Sequence, residues 1–185
     1  MRSGSAEQVL RRIENSRRRW YLPIVGPERG RILADLVRRH RPKRILEVGT
    51  FIGYSAILMA RELEEGSTIT SIEIDPEEAE EARENIRVAG FDERVEVHVG
   101  DALDVIPRIE GGFNMVFLDA KKSQYLNYLK LVEDRLPRGS VVVADNARSL
   151  AHSMRDYLEY VRNSGRYDST FMRGEWDGLE VSTKL

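Results

Sequence analysis

Arg44-Ile-Leu-Glu-Val-Gly-Thr-Phe-Ile-Gly-Tyr-Ser-Ala56 decides how the rest of the chain is read. Ile45, Leu46 and Val48 make a short apolar run of the kind that forms a strand buried on both faces. Gly49 ends the run, Gly53 follows, and Tyr54 to Leu63 reads as a helix. A strand, a glycine turn and a helix N-terminus form the arrangement at which α/β proteins hold a ligand. The spacing is Gly-x-x-x-Gly rather than Gly-x-Gly-x-x-Gly, in which the middle glycine lets backbone approach a pyrophosphate. The expected ligand therefore carries no pyrophosphate at this turn.

Downstream, Thr68-Ile-Thr-Ser-Ile-Glu-Ile-Asp75 reads as a second strand with Glu73 near its carboxyl end. An acid at that place accepts hydrogen bonds from ribose hydroxyls. Asp75 competes for the role, but it has a structural use as N-cap of the helix opening at Pro76, and Glu73 has none. The third strand, Val95-Glu-Val-His-Val99, runs into Gly100-Asp101-Ala102. Asp101 there can accept from an adenine amino group, or cap the short helix at Leu103 to Ile106; the two are compatible, since adenine can also use the Ala102 amide. Places for a methionine-like end, a ribose and an adenine, with nothing for phosphate, describe S-adenosylmethionine (SAM).

With these residues the chain resembles the class I SAM-dependent methyltransferases. More narrowly, it is similar to the metal-dependent O-methyltransferases that include the catechol and caffeoyl-coenzyme A enzymes. Glu47-Val-Gly-Thr-Phe-Ile-Gly-Tyr-Ser55 and Ile72-Glu-Ile-Asp75 mark the superfamily. Phe117-Leu-Asp-Ala-Lys-Lys122, Ala144-Asp-Asn146 and Asp177-Gly-Leu-Glu180 together mark the metal-dependent branch. The resemblance runs from about Tyr21 to the C-terminus.

It implies cofactor contacts from Val25, Glu47, Gly49, Ser55, Glu73, Asp101, Ala102 and Asp119. A divalent cation, Mg2+ or else Mn2+ or Ca2+, would rest on Asp119, Asp145 and Asn146. Lys122 would be the base beside the reacting hydroxyl, with Lys121 out of register for that pattern. Asn146 and Glu180 would meet the acceptor, Glu180 holding its second hydroxyl. Other readings stay open: a core salt bridge to an arginine for Glu47, a helix-start hydroxyl for Ser55, an outward-facing strand position for Glu180. Acids and amides also turn the chain at strand ends. Parallel strands end on one edge of a sheet, however, so Asp119, Asp145 and Asn146 should converge there, leaving open positions on a hard octahedral cation.

The resemblance also shows departures. Ala120 and Lys121 stand where catechol enzymes have aromatic residues, and Ala147-Arg-Ser-Leu150 lacks the tryptophan-glycine pattern of caffeoyl-coenzyme A relatives. Trp20, Tyr21 and Trp176 are candidates for an aromatic wall, or for core packing.

The rest of the chain bounds the reading. It has 185 residues, 41% of them hydrophobic, enough for one domain over 1–185 with a full core. No apolar run approaches the ~20 residues of a membrane helix, and the N-terminal residues lack a signal-peptide core. With no cysteine, thiol chemistry is excluded and a cytosolic location is expected. A net charge of −2 favours no partner class, although arginines crowd the first quarter, Arg17, Arg18 and Arg19 foremost.

Helices are expected over about 6–19 and from Pro27 to before Pro42, residues 1–40 forming part of a lid. Others open at Pro76, Tyr125 and about Ser149, alternating with strands that include Met115–Leu118 and Ser140–Ala144. Two terminal runs, Tyr167–Met172 and Leu179–Lys184, make a hairpin. The expected fold is α/β, Rossmann-like and doubly wound, a mostly parallel seven-stranded sheet with an antiparallel C-terminal hairpin. The expected activity is metal-dependent methyl transfer to a catechol-like or other vicinal-hydroxyl molecule. A hydroxylated wobble uridine of tRNA is the rival acceptor, for which the arginines would bind phosphate; their alternative is a solvated face or a homodimer surface. A nicotinamide oxidoreductase would need the missing middle glycine.

Overall fold

Strands with no polar side chain to present to water sit in the middle of the sheet. The computed structural model describes residues 2–17 and 22–185. β4 (Met115–Leu118) and β5 (Val141–Ala144) are buried throughout, and β1 (Arg44–Val48) is buried beyond its first residue. β2 (Thr68–Glu73) is nearly so, whereas β3 (Val95–Val99) and β6 (Tyr167–Arg173) alternate with exposed positions and form the two edges. β7 (Gly178–Lys184) completes the order β3-β2-β1-β4-β5-β7-β6, antiparallel to both neighbours while all other pairs are parallel.

Alternate residues of each strand feed different cores. Ile45, Ile69, Met115, Phe117, Val141 and Val143 pack beneath α1 (Arg2–Arg17), α2 (Gly26–His40), α3 (Tyr54–Glu62) and α4 (Pro76–Ala89). Leu46, Ile72, Val116, Leu118 and Val142 face α5 (Ala102–Val105), α6 (Tyr125–Val132) and α7 (Arg155–Asn163). The order in which strands are added reverses between the parallel neighbours β1 and β4, whose carboxyl ends therefore open a crevice. Gly49 sits at its floor with φ 97°, and a Cβ there would strike the Asp119 carbonyl. Only glycine lets the two strand ends come that close.

Several boundaries fall short of the sequence expectation for local reasons. β2 stops at Glu73 because the Asp75 side chain accepts from the amides of Glu77 and Glu78, capping α4. The helix expected from Ser149 begins only at Arg155, after a 3-10 turn over Ala151–Met154. Ser149 is instead held by Asp177, through its amide at 3.1 Å and its hydroxyl.

Part of the basic first quarter is matched by acids. Arg11 meets Glu7 at 2.6 Å, Arg38 meets Glu62 at 3.0 Å, and Arg41 and Lys43 share Glu64. Arg18, Arg19, Trp20 and Tyr21 lie outside the described residues, as does the side chain of Arg17. Trp176 is 86% exposed at the hairpin tip and does neither job expected of it, packing in no core and lining no cleft.

Candidate active site

The crevice is a cleft of about 860 Å³ along the carboxyl ends of β1, β2, β3, β4 and β5. Val25, Gly49, Ser55, Glu73, Asp101, Ala102, Asp119, Lys122, Asp145 and Asn146 all line it. Glu47 and Glu180 do not.

At one end, backbone amides fix the acids. The glycine turn puts Phe51 at φ 48°, and its amide donates to Glu73 Oε2 at 2.7 Å. The amides of Ile74 and Asp75 donate to Oε1 at 2.8 and 3.0 Å. A carboxylate with about four lone-pair sites keeps capacity for ribose hydroxyls after these three bonds. Asp101 lines the cleft and caps α5 through Oδ1, which accepts from the Leu103 amide at 2.9 Å. Tyr128 on α6 lines the cleft too.

Glu47 lies behind this end, fully buried. Ser55 and Ser71 each donate to it at 2.5 Å, and Thr50 bonds Ser71. Among the described residues no arginine reaches it, so the core salt bridge is not seen there, and its contact with the cleft runs through Ser55. Burial raises its carboxyl to about 7, against the lowering effect of the two serines; the charges of Asp119 and Glu73 add to the rise.

At the other end the oxygens of Asp119, Asp145 and Asn146 converge. Both acids are pushed above the usual carboxylate range, chiefly by burial, and Asp145 further by the charge of Asp119. Lys122 Nζ donates to Asp119 Oδ1 and to the Tyr125 hydroxyl, both at 2.8 Å. Tyr125, three residues on, is fully buried and holds the lysine in place.

Two residues here went unassigned at the sequence level. Arg29, one turn into α2, places Nη1 2.7 Å from Asp145 Oδ1 and 3.6 Å from Asp177 Oδ2. Asp177 ends the hairpin turn and also takes Asn146 Nδ2 at 3.0 Å. Burial would raise the Asp177 carboxyl, but donors from Ser149, Asn146 and Gly178 outweigh it and hold it at about 2. A permanently ionised acceptor fixes which way the Asn146 amide faces. Its nitrogen must meet Asp177, so Oδ1 is turned to the cleft. Asn146 has φ 61°, a conformation asparagine tolerates better than most residues.

Glu180 requires a correction. It faces neither the cleft nor solvent: it is fully buried opposite Ala144, paired with Arg162 at 2.7 and 2.6 Å and with Ser169 at 2.8 Å. Antiparallel pairing sets Glu180 opposite Ala144, next to Asp145, but its side chain lies on the face covered by α7, where Arg162 takes it, and not toward the cleft. The motif's residue at the cleft end is Asp177.

The donor set suits a hard divalent cation. A buried carboxylate (Asp145), a half-buried one that repels it (Asp119) and an amide oxygen with no partner among the described residues are all oxygen ligands, and they leave positions open.

A family model described as O-methyltransferase matches residues 3–154. Catechol O-methyltransferase B of Danio rerio is 37% identical over 196 residues, covering 98% of this chain and 74% of that one. Among solved structures, the Bacillus cereus O-methyltransferase in complex with SAH has a TM-score of 0.87 at 27% identity, covering 98% of this chain and 91% of that one. The Streptomyces achromogenes O-methyltransferase involved in tomaymycin synthesis, in complex with SAM, has a TM-score of 0.83 at 30% identity, covering 96% and 89%.

Proposed function

The chain belongs to the O-methyltransferase family and is a SAM-dependent O-methyltransferase; from that premise we propose that it methylates one hydroxyl of a catechol-like small molecule with the help of a divalent cation. The observation that carries this reading is the convergence of Asp119, Asp145 and Asn146 Oδ1 beside Lys122, at the opposite end of the cleft from Glu73 and Asp101.

SAM is the methyl donor substrate. Glu73 would take its ribose, Asp101 and the Ala102 amide its adenine, and Ser55 with the α3 N-terminus its methionine end, beneath Val25 and Gly49. Residues 1–40 would serve as part of a lid within one domain over 1–185. A cation on Asp119, Asp145 and Asn146 would supply Lewis acidity to two neighbouring acceptor oxygens. Lys122 Nζ would accept the proton of the reacting hydroxyl. The oxygen lone pair then forms the new bond to the methyl carbon while the carbon–sulfur pair leaves with sulfur. Tyr125 keeps the Lys122 amine at the cleft wall, and Asp177 keeps Asn146 Oδ1 turned inward. The chain's main contribution is positioning. Similarity to the Danio rerio catechol enzyme supports the acceptor class.

The test is transfer of labelled methyl from SAM to simple catechols and, in parallel, to tRNA, with and without EDTA. Catechol methylation that EDTA stops is expected, with Asp145→Ala lowering kcat/KM on the order of 10³-fold for loss of a metal-bound transition-state contact. Full activity in excess EDTA would remove the cation from the reading. Methylation of tRNA with no turnover of any catechol would replace the acceptor.

A further inference from the structure

We propose that Arg29 is a built-in counter-cation that occupies the place of the divalent ion at Asp145 and swings onto Asp177 when that ion binds. The inference rests on the proposed metal site and adds a competitor to it.

The geometry sets up the exchange. Asp119 and Asp145 each carry one internal cation, Lys122 Nζ at 2.8 Å and Arg29 Nη1 at 2.7 Å. The pair of acids is thus charge-balanced by the chain itself. A divalent ion at about 2.1 Å from Asp145 would share that carboxylate with a guanidinium at ordinary hydrogen-bond distance. Two like charges that close inside a buried site repel strongly, so both cannot keep Asp145. Arginine does not relieve the conflict by losing its proton, because it stays charged in proteins. It has to move.

A landing place is already built. Asp177 Oδ2 is 3.6 Å from the same Nη1, so a small rotation of the guanidinium exchanges one carboxylate for another without leaving the charge unpaired. The pivot is anchored, since Nε donates to the Val25 carbonyl at 3.1 Å. Val25 lines the cleft in the segment that joins α1 to α2, so the exchange also bears on that wall.

The test needs no turnover. Mn2+ binding to the full chain is followed at pH 8 by electron paramagnetic resonance of the free ion, without SAM or acceptor. Arg29→Met, close in length and uncharged, should bind Mn2+ at least tenfold more tightly than wild type. Arg29→Lys keeps the charge and should bind close to wild type, which separates loss of charge from loss of fold. Asp145→Asn should lose the site. Arg29→Met binding equal to or weaker than wild type, with Asp145→Asn defective, overturns the exchange and leaves the metal site standing. No binding by either wild type or Arg29→Met overturns both together. A second readout is the Arg29 Nε–H resonance: Mg2+ should shift it in wild type and not in Asp145→Asn, and an unmoved resonance in a Mg2+-saturated protein overturns the exchange.

Discussion

The two ends of the cleft are made in different ways. At the cofactor end, Glu73 is held by the amides of Ile74 and Asp75 beside it and of Phe51 in the glycine turn, and Asp101 by the amide of Leu103. The carboxylates are set where strands hand over to turns, mostly by neighbouring backbone. At the acceptor end the partners come from across the fold. Arg29 is 116 residues from Asp145, and Asn146 is 31 from Asp177. The first end needs only local geometry, whereas the second is complete only once α2 and the terminal hairpin have docked. Damage at the cofactor end should therefore stay with one ligand, and damage to the hairpin turn should reach the metal and the acceptor together.

The largest effect expected on this comparison is Glu73→Ala. Loss of charge-assisted hydrogen bonds should weaken SAM binding by roughly 1.5–3 kcal/mol. Calorimetry should find Mn2+ affinity unchanged, because Glu73 lies at the other end of the cleft. A parallel loss of Mn2+ affinity would break the division into two ends.

Asp177→Asn is the converse. It frees the Asn146 amide to turn, and a residue that orients a metal ligand is typically worth about 10–100-fold in metal affinity or activity. Mn2+ affinity and kcat/KM should fall together while the SAM dissociation constant holds. An unchanged Mn2+ affinity would mean that the Asp177 contact does not orient Asn146.

That contrast also explains what was legible in the sequence. Strand ends, glycine turns and caps are written in runs of adjacent residues, so Gly49, Glu73, Asp101, Asp119, Asp145 and Asn146 could be placed on one edge of the sheet before any coordinates. Arg29 could not, since nothing near it in sequence indicates a partner on β5. Asp177 was present within its motif, but the role went to Glu180. The reason is directional: which end of β7 reaches the cleft depends on its antiparallel pairing with β5, and a two-residue alternation does not say which residue faces α7 and which the ligand. Glu47 was recognised as costly to bury. Its partners were not: where a salt bridge to an arginine was the alternative reading, the carboxyl takes Ser71 on the neighbouring strand, 24 residues away, and Ser55, eight residues on.

Glu47 is the place where the cofactor end departs from local construction, and its effect is read as a slope of stability against pH and not as a loss of ligand affinity. Its carboxyl is raised by burial to about 7, well above an unfolded chain's glutamate. Between those two values the folded state binds more protons than the unfolded one. Stability from this group is therefore fully present below the unfolded value and is lost as pH rises through about 7. In metal-free protein Asp119 and Asp145 act in the same direction, so the wild-type slope contains all three. Glu47→Gln cannot ionise, and its amide oxygen can still accept from Ser55. Urea unfolding from pH 5 to pH 8 should show a fall in stability that is less steep in the variant, by up to about 1.4 kcal/mol per pH unit. SAM affinity at pH 8 should rise or hold, since the variant keeps the uncharged arrangement that wild type loses. Identical slopes would mean that Glu47 is already ionised at pH 5, with Ser55 and Ser71 outweighing burial. The cofactor end would then rest on a buried charge stabilised across β1 and β2, and would depend on long-range contacts as much as the acceptor end does.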